Sequence, residues 1–116
     1  MMRFLILIAV CLSQPAFAQI NPFRGSRATP LNRDDIAALT DAMNRLLDQP
    51  DIAVGASDTW SSPHSGISGT VTVGNPLTHH GLACRVMHFE RTTNRTANRH
   101  ATLTMCKTKD GWRIGS

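Results

Sequence analysis

Two cysteines, Cys84 and Cys106, stand in a stretch whose residues otherwise alternate between polar and apolar, GLACRVMHFERTTNRTANRHATLTMC. Period-two alternation marks half-buried strands, so Leu82 to Glu90 and His100 to Lys107 predict the two arms of a hairpin joined by a polar loop, Arg91 to Arg99. Setting Cys84 opposite Cys106 fixes every other facing pair. Arg85 then meets Met105, Met87 meets Leu103 and Phe89 meets Ala101, which gathers the apolar side chains on one face. The other face takes the cysteines, Val86 with Thr104, and His88 with Thr102. One register joins the sulfurs and also stacks the hydrophobic residues, and such agreement between levels favours a bridge.

Four roles are open to such a pair: metal ligand, redox centre, nucleophile or staple. Structural zinc sites are typically built from close Cys-Cys and His-His pairs of the C-x2-4-C and H-x3-5-H kind, and thioredoxin-like chemistry uses C-x-x-C, and neither spacing is present. The start of the chain bears on the rest. MMRFLILIAVCLSQPAFAQ opens on Arg3, runs apolar from Phe4 to Leu12 and places small residues around Ala16 and Ala18, the pattern of a secretory leader expected to be cleaved before Gln19. Exported proteins keep disulfides. Cys11 follows Val10 inside the apolar run and is expected to leave with the leader rather than carry lipid. The run is well short of the roughly 20 residues that span a bilayer, so no transmembrane segment is expected in the mature chain.

Residues 19–31 mix Pro, Gly, Ser and Arg without an apolar period and are expected to form a flexible arm. A helix is predicted to begin after Asn32, with Asp35 three residues on completing a capping box and Asp34 and Asp35 complementing the dipole. Ile36, Leu39, Met43, Leu46 and Leu47 recur on one face, whereas Thr40, Asp41, Asn44, Arg45 and Asp48 fall on the other. Gln49-Pro50 ends the helix. Downstream, a strand around Thr59-Trp60 and another from Ile67 to Val73 are predicted, with Gly74-Asn75-Pro76 breaking the second and His79-His80-Gly81 closing a loop. Lys109-Asp110-Gly111 is expected to turn the chain into a last strand, Trp112-Arg113-Ile114, with Trp112 covering the sheet.

The predicted fold is therefore α+β: one N-terminal amphipathic helix packed on a four- or five-stranded antiparallel sheet with one disulfide. It forms a single domain over residues 32–116, after a leader (1–18) and an arm (19–31). About a hundred mature residues suffice for one core and not for two. Charge is uneven within it. Five aspartates between Asn32 and Asp51 oppose Arg33 and Arg45, while seven Arg and Lys beyond Cys84 oppose only Glu90 and Asp110. A basic end of this kind favours acidic surfaces.

The segments SGISGTVTV, GLACR and DGWRI, with Trp60 and the second cysteine Cys106 between and around them, resemble the C-terminal domain of the seventeen-kilodalton surface antigen family of bacterial envelope proteins. The resemblance runs from about Asp34 to Ile114, and its most specific elements are Cys84-Arg85 and Cys106 followed by Asp110-Gly111-Trp112. It implies an envelope location and this fold, and it names no reaction. Many members of that family carry a lipid-bearing cysteine and a glycine-zipper segment before this domain, where this chain has only the short arm.

Several residue groups invite a chemical reading. Arg91, Arg95 and Arg99 at the expected hairpin loop suit a bidentate grip on phosphate or carboxylate, against a plain reading as residues that deter edge pairing. His88, His100 and Glu90 share a face in the hairpin register and are weak candidates for an ion, against a plain reading as solvated strand residues; His64, His79 and His80 lie elsewhere. Asp58, His64 and Ser68 contain the side chains of a hydrolase triad without the strand-to-helix elbow that exposes its serine. With no tyrosine, and two tryptophans wanted for the core, the chain offers no stacking platform for nucleic acid. The expectation is a non-enzymatic periplasmic or secreted domain, associated with the outer membrane in one form of this reading. It needs no cofactor, and its partner is an envelope protein or an anionic envelope polymer. The rival reading is a module that binds anionic glycan, lipid or metal through Arg91 to Arg99 and the nearby histidines.

Overall fold

The structure is a computed structural model that describes residues 20–24, 31–62, 64–93 and 96–115. The expected leader, Asn94 and Arg95 lie outside the described residues. Among those described, helix α1 (Arg33–Leu47) is followed by β1 (Ser57–Ser61), β2 (Ser68–His79), β3 (Leu82–Thr93), β4 (Thr96–Thr108) and β5 (Gly111–Ile114). The strands form one antiparallel meander in chain order.

The helix starts where its capping signals stand. The Asn32 side chain accepts from the Asp35 amide at 2.8 Å, and the Asp35 carboxylate accepts from the Asn32 amide at 3.0 Å. Its apolar face, Leu39, Ala42, Met43, Leu46 and Leu47, is buried against Trp60, Val71, Val73, Met87 and Phe89 of the sheet. Thr40 departs from the polar face assigned to it and is buried, its hydroxyl 3.4 Å from the Ile20 amide that donates to it. The reason lies in the supposed arm. Ile20, Phe23 and Leu31 are 3%, 6% and 7% exposed and complete the core, so this part of the segment expected to be flexible is docked by burial of apolar side chains.

The hairpin register is the one that the cysteines predict, pair for pair from Cys84 with Cys106 to Glu90 with His100. It then runs further, with Arg91 opposite Arg99 and Thr93 opposite Thr96, so the residues expected as a loop extend the strands.

Strand β2 also outruns its expected stop. A bulge at Gly74-Asn75 resets the pairing between Val73 and Pro76, and the strand continues to His79. Pro76 is tolerated because the alternation of the ladder turns its nitrogen away from β3, toward the side of β2 that β1 no longer reaches. His80 and Gly81, both at positive φ (50° and 76°), then make a two-residue turn that closes the pair His79 and Leu82. Positive φ at both central residues is the geometry of a type I′ hairpin, so His79 belongs to a strand and not to a loop.

Candidate functional site

The side chains singled out above lie mainly on the β3–β4 hairpin, and the pleat sorts them by face. Residues at 85, 87, 89 and 91 of β3 point toward the helix side, and those at 84, 86, 88 and 90 point outward. Cys84 and Cys106 form the disulfide, with S–S 2.00 Å and Cα atoms 4.0 Å apart. They occupy a non-hydrogen-bonded pair, where opposed Cα atoms approach most closely: the Gly115 amide donates to the Thr104 carbonyl at 2.8 Å, so the even residues of β4 turn their backbone groups toward β5. Both cysteines are buried although no helix of the described residues covers that face. Gly115 lies directly over the bridge, where an added Cβ would come within 2.8 Å of Cys106 Sγ.

Arg91 is the principal correction to the sequence reading. By parity it lies on the apolar face, and its side chain is 2% exposed. The guanidinium sits 5.7 Å from the centroid of the Phe23 ring, a cation–π distance. Burial pushes its pKa below the ordinary arginine value, and the nearby Asp35 carboxylate opposes that shift. Asp35 is itself fully buried and receives a 2.6 Å hydrogen bond from the Ser65 hydroxyl, which in turn accepts from the Ile67 amide at 3.1 Å. Asp35 therefore joins the helix start, the β1–β2 connection and β3, which goes beyond its reading as a helix-start residue. Gly69, opposite Arg91 in the register, makes room for Trp60: a Cβ there would run into the Glu90 carbonyl oxygen and lie 2.6 Å from the Trp60 ring.

The expected anion grip is accordingly not assembled as drawn. Arg91 is spent inside the core, Arg99 is exposed, and Arg95 lies outside the described residues. Of the histidine group, His100 Nδ1 stands 3.8 Å from Glu90 Oε2 on the exposed face. His88 lies over Gly74, where an added Cβ would come within 2.7 Å of its Nε2. Among the described residues no three His, Cys, Asp or Glu side chains gather closely enough to hold an ion. Asp58, His64 and Ser68 do not converge either. Asp58 lies on the helix face and accepts from Arg45 Nε at 2.7 Å, which holds its carboxyl below the usual range, whereas Ser68 projects from the opposite face.

The signal for Arg91 was present in the sequence as parity, since 91 continues the series 85, 87, 89. No helix of the described residues is long and apolar enough to cross a membrane. No family model, curated protein or solved structure matches the chain.

Proposed function

We propose that this chain is a non-enzymatic, exported domain of a bacterial cell envelope, periplasmic or secreted, that works by presenting a stapled sheet to an envelope partner, as its resemblance to the surface antigens implies. The observation that carries the reading is the Cys84–Cys106 bridge, placed in a cross-strand pair behind a leader-like start. A bridge in that place suits an oxidising compartment. It spans the strands as architecture, away from Asp58, His64 and Ser68, and the described charged groups of the hairpin are engaged in packing or on the solvent face. Fractionation of cells producing the chain, followed by thiol alkylation under denaturing conditions, tests it. The expected result is a shortened chain outside the cytoplasm with no reactive thiol. A cytoplasmic chain carrying two reactive thiols in place of the bridge would overturn it.

A further inference from the structure

The end of the sheet that carries the β2–β3 and β4–β5 turns differs from the end that buries Arg91. Two cross-strand rows approach it. One holds Pro76, Arg85, Met105 and Ile114, and the next holds Leu77, Cys84, Cys106 and Arg113. Beyond them come the pairs His79 with Leu82 and Lys107 with Trp112, and then the turns at His80-Gly81 and Lys109-Asp110.

Three of the exposed large hydrophobic residues of the described chain belong to this end: Leu77 and Leu82, each 37% exposed, and Ile114, 54% exposed. Around them stand Arg85, Lys107, Lys109 and Arg113 against the single acid Asp110, four positive charges to one negative. None of the four cations forms an ion pair with another described residue. The acids of the domain lie mostly elsewhere, with Asp34, Asp35, Asp41, Asp48, Asp51 and Asp58 on or beside the helix.

By the pleat, Leu77, Leu82 and Arg113 stand on the outward face and Arg85, Lys107, Ile114 and the half-buried Trp112 on the helix-side face. Aliphatic and cationic side chains thus flank both faces of the sheet end, which matches the boundary of an anionic bilayer approached end-on. Apolar tips enter the acyl margin, the indole sits at the headgroups, and Lys and Arg meet lipid phosphates. We propose that this turn end docks the domain on an anionic phospholipid surface. The disulfide contributes by fixing β3 to β4 at the row of Leu77 and Arg113, so that apolar and cationic groups are held in one arrangement before contact. A preorganised surface loses less side-chain and backbone freedom on binding. The proposal deepens the envelope reading by naming a class of partner, and it is tested without any reference to export.

Co-sedimentation of the disulfide-bonded full chain with vesicles of neutral phosphatidylcholine, and of phosphatidylcholine containing phosphatidylglycerol, reads it out. The apolar leader partitions into both kinds, so the quantity of interest is the anionic preference. At low salt we expect a preference of about tenfold or more that shrinks severalfold in high salt, where exposed charges are screened. The double substitution Lys107→Glu and Arg113→Glu is expected to bring the preference below about twofold, and Leu77→Asn with Ile114→Asn to lower anionic binding by about threefold or more. These positions are at the surface, and an unchanged melting temperature shows that the fold is kept. Arg99→Glu, at the opposite end, is expected to leave binding within about twofold. Absence of an anionic preference, its survival in the Lys107/Arg113 variant, or an equal loss from Arg99→Glu would overturn the assignment. Because the assay uses purified protein and lipid, its failure leaves the export test intact, and the reverse also holds.

Discussion

The two ends of the sheet use the same residue types to opposite purposes. At the end bearing the β1–β2 connection, an arginine, an aspartate and two aromatic rings are drawn inside: Arg91 lies against Phe23 beside Asp35, and Trp60 lies over Gly69. At the other end Lys107, Lys109, Arg113 and Ile114 remain in solvent. The difference follows from what covers each end. The helix start and residues 20–24 lie over the first, and a buried cation there requires a buried anion. No described helix covers the second, and its charges stay hydrated. Arginine density along the chain is therefore a poor guide to a binding surface until the helix face has been assigned.

The largest expected effect breaks the covered end. Asp35→Ala removes the buried carboxylate that favours the Arg91 charge, the acceptor of the Ser65 hydroxyl and half of the capping box, and these losses together are expected to cost about 3 to 5 kcal/mol. Denaturant unfolding measures it, with an unchanged slope expected if the native state stays compact. Combining Asp35→Ala with Arg91→Met should recover part of the loss, because the apolar stem is kept and the orphaned charge is gone. Losses that simply add in the double variant would show that the two side chains do not act together. Asp35→Asn, which keeps the shape and an acceptor for the Asn32 amide, isolates the charge itself.

Removing the bridge probes the open end. Cys84→Ser with Cys106→Ser frees a loop spanning 22 residues of sequence separation, for which chain entropy gives about 3 to 4 kcal/mol. The loss is expected to appear in melting temperature and in hydrogen exchange of the amides near the bridge, while those beside Arg91 keep more of their protection. Uniform loss of protection along the hairpin would mean that the two ends unfold as one unit, and the contrast between them would be of surface chemistry only.

How far these features were legible in the chain depends on what each one needed. The hairpin register could be read because two cysteines and two apolar pairs demanded the same alignment, and a slip by one residue would turn every one of them over. The helix could be read from Asn32, Asp35 and the recurrence of Leu39, Met43 and Leu46. Arg91 was missed because the polar run Thr92 to Asn98 suits a loop and an extended ribbon alike, so the strand end stayed undecided although parity already placed residue 91 on the core side. Pro76 was misread for a different reason. A proline breaks a strand only where its missing N–H belongs to a ladder, and whether it does depends on which neighbours β2 has along each part of its length. The docking of Ile20 and Phe23 needed knowledge of the space left beside the helix, which no local pattern encodes.

The smallest effect concerns the contact that holds the C-terminal half of the helix to β1. Arg45 donates to Asp58 at 2.7 Å, with side chains 57% and 32% exposed, and this hydrogen bond keeps the Asp58 carboxyl below its ordinary pKa despite some opposing desolvation. A carboxylate whose folded-state pKa is depressed adds stability that is fully present above its unfolded value, near 3.8, and that is lost as pH falls through the lower folded value. The contribution is therefore intact at neutral pH and vanishes only in acid. Its size is that of an exposed pair, screened by water and salt, so Asp58→Asn should lower the melting temperature slightly at pH 7, and by progressively less as the pH is lowered through the depressed native value. A larger loss at low pH than at neutral pH would reverse the sign of this argument. It would mean that Asp58 serves the fold as a neutral hydrogen-bonding group on the helix face rather than as the anion that Arg45 holds.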